Sequence, residues 1–583
     1  MSGDAELSRA TFDRSWLEEI DGRSPVLLVA PHGGTADLNA RHLLNPKVND
    51  LHTAEITREF ARRIGASALI NTALDRNSVD LNRMAQLLAH APWFLGLIAA
   101  RVRSIAARHG RAVVLLIHGW NVIAPRLDIG IGLRRHGVEL RPAGSARVSA
   151  SDDFIHGPLA RLGERLAESA IPASFGLRYP AGGAQNLLQA FTDRHLEDDV
   201  PALSELSAMA ARGAIEAAQL ELSVALRIPG SFRERCIEAM VECFGNPPRG
   251  DSTSAPARLH VIRTPEVRSA MPARRPPAAA PPGRVGIEFF DPRSRVGAMA
   301  SFDLGPGGVG ARIMVLLPGG RVALFTNEGR SRLDGTRASL GPLAFEARGH
   351  RLGLRFHGPM VIVPDATSYL RLERALASAR LEESAEIEIE LEPYPDEHEP
   401  RAMFRENGGQ WDPVAMSAFG TFTGEIRADG IKCALGGFGR AGTSFTGLGP
   451  LRFTSRRMLW ACFARETAEP LALEIRTHTD GGESEHASAR IMNDAGWSAC
   501  EVARVELETR SVSAPPEHLS ATFTENGAPA RTIVGKVESF VPLSRPGPAN
   551  TRIFTSLGFA RFRLGSHEGG GLFEYSRRTD NLP

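Results

Sequence analysis

Three places in the first half of this chain put metal-type ligands where a strand or loop ends. His32 closes the stretch Pro25–Gly34 (PVLLVAPHGG), Asp50 and His52 flank Leu51, and His118 follows the apolar run Ala112–Ile117 (AVVLLI). Zinc hydrolases use two or three histidine or carboxylate ligands and leave one position for water. Two histidines that end separate parallel strands converge on one edge of a sheet, which scattered core histidines need not do. Asp50 is the first choice for a third ligand, with His52 and Glu55, one helical turn on, as competitors. No HExxH motif accompanies them. The other role open to each histidine is that of a core residue in a tight turn.

A second constellation is Asp75–Arg83, DRNSVDLNR. Arginine grips a carboxylate through two parallel hydrogen bonds. Asn82 and Arg83 beside Arg76 could hold a substrate carboxylate and polarise its scissile carbonyl. A surface arginine in a salt bridge is the alternative.

These residues need a scaffold, and the first half predicts one. The continuous apolar run Val26–Ala30 suits a strand buried on both faces, and Gly33 and Gly34 allow close backbone approach at its end. Ile56, Phe60 and Ile64 recur at helical spacing within His52–Ile64, and Gly65 is placed to cap that helix. Ala66–Asn71 and Ala112–Ile117 read as further strands. Met84–His109, Ala202–Ala225 and Gly230–Cys243 read as helices. This alternation predicts an α/β domain with a mixed, mainly parallel sheet.

The composition changes abruptly at 263–284, where RTPEVRSAMPARRPPAAAPPGR reads as a semi-rigid linker. Beyond it the period becomes two, most clearly in Glu386–Glu392 (EIEIELE). Ile313–Leu317 and Val322–Phe325 flank Pro318-Gly319-Gly320, a hairpin signal. The organisation expected is an α/β domain over 1–262, the linker, a first β lobe over 285–415 and a second over 416–583. His357, His478 and His567 are scattered and read as surface or core residues.

With 583 residues, several domains are required. Sixty-eight basic against 67 acidic residues give no electrostatic reason to expect nucleic acid. No run of about 18 apolar residues suggests a membrane span. The polar N-terminus lacks a signal-peptide core, and the five cysteines are odd in number and scattered, so a cytoplasmic location with reduced thiols is expected.

PHGG, NDLH before a helix, DRNSVDLNR, and LLIHGW before Asp128–Gly132 (DIGIG) together resemble the N-formylglutamate amidohydrolase family, in order and at similar spacing over about residues 20–245. That family is related to the zinc carboxypeptidases and aspartoacylases. The resemblance implies an α/β zinc-carboxypeptidase-like core holding Zn2+ through His32, His118 and Asp50. It implies that Arg76 steadies the developing oxyanion, and that Asn82 and Arg83 bind a substrate carboxylate. It further implies Glu221 as the base and a substrate loop at Tyr179–Gly183 (YPAGG), with Tyr179 and Gly183 as binding residues. The implied substrate is a small amide carrying a carboxylate. The chain departs from the family pattern at Ile117, where an aspartate usually precedes the histidine, and at Gly119-Trp120. On the periodicity alone, Glu221 lies on the Ala202–Ala225 helix, and a break near Gln219 into a strand would favour the catalytic role.

The β-rich half resembles, through GTFTGEIRADG, LGGFGRAGTSFTG and GLFEYSRR, the double lipocalin-like proteins related to carotenoid hydratases and AttH. That resemblance implies an all-β, lipocalin-like barrel region able to hold an apolar ligand. Two further readings follow: a binding protein whose α/β part is only a scaffold, and a hydratase or isomerase acting in the barrels.

Overall fold

The computed structural model describes residues 14–35, 47–245 and 283–579, less 137–138, 143–147, 306–307, 330–331, 334, 395–403, 408–409, 414–416, 446–452, 465–470, 481–484, 495, 509–513, 517, 526 and 547–550. Contacts divide the chain into two compact units, one formed mainly by residues up to 245 and one mainly by residues from 283.

The first unit is built on a seven-stranded sheet. Its strands are β1 (Leu17–Ile20), β2 (Val26–Ala30), β3 (Ser67–Asn71), β4 (Ala112–Gly119), β5 (Leu127–Gly130), β6 (Ala173–Phe175) and β7 (Ile215–Leu222), in the spatial order β1-β3-β2-β4-β7-β5-β6. β2 pairs in parallel with β3 and β4, and β4 in parallel with β7. β1 joins β3 and β5 joins β7 antiparallel, so the sheet is mixed and parallel at its centre. All five residues of β2 are buried. Val26, Leu28 and Ala30 pack with α1 (Thr53–Ile64), while Leu27 and Val29 enter a second core on the opposite face. Two covered faces are why the strand reads as an unbroken apolar run.

Gly65 ends α1 in the left-handed region at φ 64, as its position predicted. The expected Met84–His109 helix is two helices, α2 (Met84–His90) and α3 (Pro92–His109). Pro92 lacks an N–H and forces Ala91 out of the helical region, to φ −142, so the chain turns there. Among the described residues no single helix is long and apolar enough to cross a membrane.

The larger correction concerns Ala202–Ala225. The helix there, α4 (Pro201–Ala211), stops before Gly213 at φ 76, and the chain continues as β7. All eight residues of β7 are buried. Alanine and leucine favour a helix, but the slot between β4 and β5 accepts a strand, and burial overrides propensity. A short helix α5 (Val224–Arg227) and α6 (Ser231–Phe244) follow.

The expected linker lies outside the described residues over 263–282, while Gly283 and Arg284 already belong to a strand, Gly283–Asp291. The second unit is all β. An eleven-stranded antiparallel sheet starts with that strand, and Ile431–Phe445 pairs back on it. A closed eight-stranded barrel then runs from Phe453–Phe463 to His567–Thr579. Because Ser417–Ala428 and Ile431–Phe445 complete the sheet, its strands end at Phe445 and the barrel's begin at Phe453, later than the 415/416 division that composition suggested. The hairpin at Pro318–Gly320 forms as expected, with Gly319 and Gly320 at φ 81 and 74. In EIEIELE the isoleucines and Leu391 are buried and the glutamates are not. Leu459, Phe463, Leu473, Ile491, Phe523 and Phe562 belong to the apolar core of the barrel, consistent with an eight-stranded barrel whose interior side chains can fill.

Candidate metal centre

The central strands end together, and that edge gathers the ligands. His32 lies two residues beyond β2 and His118 at the end of β4, both buried. The backbone N–H of Asp50 donates to the carbonyl of His32 at 2.9 Å, which draws the Asp50 loop against the first histidine. One carboxylate oxygen of Asp50, Oδ2, lies 3.2 Å from His32 Nδ1 and 3.1 Å from His118 Nδ1. Among the described residues, donor atoms of these three side chains all lie within 4.8 Å of one another. His52 and Glu55 do not join them. His52 sits ahead of α1 in the left-handed region at φ 66, and Glu55 is exposed on the first turn.

The proton positions on His32 test whether a cation fits. Nε2 lies 2.8 Å from Asp80 Oδ1, so a neutral ring keeps its proton on Nε2 and donates it to that carboxylate. Nδ1 then turns a lone pair toward Asp50 Oδ2, an approach of two acceptors that a cation between them reconciles. A carboxylate–histidine pair behind a metal ligand is the usual way of fixing a ligand tautomer. Burial pushes the Asp50 carboxyl up, but the adjoining His118 and His32 rings and the Arg76 guanidinium overcome it and hold it well below the usual range. At Asp80 burial is likewise outweighed, by His32, Lys47 and Arg76. Both groups are therefore carboxylates at neutral pH, and the donor set of two imidazoles and a carboxylate suits zinc.

Arg76 donates through Nη1 to Asp50 Oδ1 at 3.1 Å and to the Val48 carbonyl at 3.2 Å. Its buried Nε has no hydrogen-bond partner among the described residues. Asn82 donates its N–H to Asp80 Oδ1 and accepts from the N–H of Leu187 through Oδ1. Arg83 stands more in solvent, 57% exposed, with Nε 4.0 Å from Asp80 Oδ2.

Glu221 is carried by β7, where its residue pairs with His118 of β4 on one side and Asp128 of β5 on the other. Register partners on neighbouring strands project to the same face, so the three side chains form a row. Glu221 is buried and accepts from Gln219 Nε2 at 2.6 Å. Burial, with the charges of Asp50 and Asp128, raises its carboxyl to about 7 against the opposing pull of His118 and Gln219. A carboxyl in that range takes up and releases protons near neutrality.

Asp128 fixes the Tyr179 loop. It accepts from Ser174 Oγ and from the backbone N–H groups of Leu177, Arg178 and Tyr179, at 2.7 to 2.9 Å. The Tyr179 ring meets Trp120 edge-on at 6.0 Å. Gly183 is exposed and has open space where a side chain would project, whereas a Cβ on its neighbour Gly182 would overlap the Leu133 carbonyl. The glycine that this loop sterically requires is therefore Gly182.

Sequence reasoning missed Asp80, Gln219, Asp128 and Arg227. Asp80 lay inside DRNSVDLNR, and Asp128 opens DIGIG, but their roles depend on side-chain contacts with residues distant in the chain that no local pattern announces.

No known family profile matches this chain, and no curated protein matches it. Solved structures similar to it include a Nitrosomonas europaea protein assigned as an AttH (13% identity, 52% of this chain and 92% of that one, TM-score 0.31) and kievitone hydratase from Nectria haematococca (10%, 52% and 90%, 0.29). N-formylglutamate amidohydrolase from Ralstonia eutropha JMP134 is a third (12%, 39% and 96%, 0.26).

Proposed function

We propose that this chain is a zinc-dependent hydrolase that cleaves an amide bond of a carboxylate-bearing N-acyl substrate, with the β-rich unit as an accessory or ligand-binding module. The observation that carries the reading is the convergence of His32, Asp50 and His118, with Glu221 in register beside His118.

His32, Asp50 and His118 would hold the ion, which supplies Lewis acidity by lowering the pKa of water and polarising the scissile carbonyl. Glu221 takes the proton of the attacking water as the C–O bond forms. It delivers that proton to the leaving nitrogen as the C–N bond breaks. Arg76, whose buried Nε–H has no acceptor among the described residues, would steady the negative charge developing on the carbonyl oxygen. Arg83 is the exposed guanidinium for a substrate carboxylate, and Asn82 ties that segment to the 187 turn.

The test is hydrolysis of a panel of N-acyl amino acids by zinc-loaded protein, each beside the same compound with its α-carboxylate amidated. Release of free amino acid from the carboxylates, with amidation reducing kcat/KM at least about tenfold, supports the reading; a lost charged hydrogen bond is worth roughly that. Equal turnover of both sets would remove the carboxylate requirement, and no turnover of any member would remove the amide specificity.

A further inference from the structure

Arg227 ends α5, six residues after Glu221, and is 2% exposed. Its guanidinium reaches both ligand-bearing loops. Nη1 donates to the carbonyl of Leu51, next to Asp50, at 2.7 Å. Nη2 donates to the carbonyl of Trp120, two residues past His118, at 3.2 Å, and to Asn121 Oδ1 at 3.3 Å. All three acceptors are uncharged. Among the described residues no carboxylate forms an ion pair with Arg227, and its buried Nε has no partner. A fully buried cation bonded only to neutral oxygens is costly, so packing alone does not account for it.

Gly119 shows how tightly the guanidinium is built in. A Cβ there would lie 2.6 Å from Arg227 Nη1 and 2.9 Å from Asp50 Cβ. The residue after the second histidine is thus a glycine where the cation passes between the two loops. Lysine could not replace this fork, since one ammonium cannot span two loops in a fixed plane.

We propose that Arg227 is a positioning residue that holds the Asp50 and His118 loops at metal-binding separation, preorganising the centre from the segment that carries the base. This rests on the metal-centre reading above. It goes beyond that reading in assigning the spacing of the ligands to a buried guanidinium that touches neither ion nor substrate.

The test uses the full-length protein and Zn2+ or Co2+, titrated against a chromophoric chelator. R227K and R227M should each weaken binding of the ion about 10- to 100-fold, the usual cost of losing an outer-shell partner, and should alter the visible absorption of the Co2+ form. The metal-free melting temperature serves as the control for a general structural effect. If R227K binds Zn2+ as tightly as wild type with an unchanged Co2+ spectrum, the clamp is overturned, because charge alone would suffice. If both variants fail to fold, N121A decides. It removes one acceptor of the guanidinium without altering a proposed ligand, so weakened ion binding supports the clamp and unchanged binding overturns it. Failure of wild type to bind either ion would instead overturn the metal-centre reading, and this proposal with it.

Discussion

His118 and Glu221 are register partners on adjacent parallel strands, so one sheet row carries a candidate metal ligand beside a candidate base. Their separation is set by backbone hydrogen bonding between β4 and β7, both buried along their length, rather than by mobile loops. The burial that makes these strands also sets the protonation of Glu221, since loss of solvent is the largest influence raising its carboxyl. Fold and chemistry are linked at that row.

Replacing Asp80 tests the role of the carboxylate behind His32. D80A removes the acceptor that fixes the proton on Nε2. Zinc affinity should fall about 10- to 100-fold, measured by chelator competition. Unchanged affinity would show that the His32 tautomer needs no partner.

Glu221 should leave a signature in the stability of the chelated protein. Its folded-state value, about 7, lies above the ordinary 4.5, so the folded state binds more protons than the unfolded state between these limits. Its contribution is therefore most favourable below about pH 4.5 and is lost as pH rises to about 7, by about 3 kcal/mol in total. Denaturant unfolding at pH 5 and pH 8 should show a wild-type loss that E221Q lacks. The same variant, zinc-loaded, should lose about 10²- to 10⁴-fold in kcat. Identical pH dependence of wild type and E221Q would contradict this protonation.

Asp128 is expected to act through the Tyr179 loop. D128A leaves four donors without their shared acceptor, at a cost of about 2 kcal/mol or more. If Tyr179 contacts substrate, KM should rise more than zinc affinity falls. A variant with unchanged KM would separate Tyr179 from substrate binding.

Gly34 should resist even a methyl group. A Cβ there would overlap the Leu74 carbonyl, in the turn that Asn71 holds with its side chain. G34A should cost about 1–3 kcal/mol, read from thermal unfolding, whereas G183A, facing open space, should change little. Equal effects would mean that the loop at His32 yields freely.

Much of this was legible in the sequence where the signal is local. Continuous apolar runs marked β2 and β4, Gly65 marked a helix end, and strict alternation marked the strand around Glu386–Glu392. His32, Asp50 and His118 were legible because each stands where such a run or its following loop ends. β7 was not, because an alanine- and leucine-rich strand has helical propensity and only its neighbours β4 and β5 make it a strand. Asp80, Asp128 and Arg227 act across distances of roughly 40 to 180 positions in the chain, and composition carries no trace of such partners. The sheet-to-barrel division escaped notice for a related reason. Strands on either side of it share one alternating pattern, and only the return pairing of Ile431–Phe445 on Gly283–Asp291 shows where the first sheet ends.

The most direct test of the account is the metal content of full-length protein purified without chelators, wild type beside His118→Ala. The account predicts about one zinc per chain in wild type, lost in the variant, with the chelated variant still unfolding cooperatively. A wild-type protein that carries no zinc and takes up none when it is supplied would contradict it.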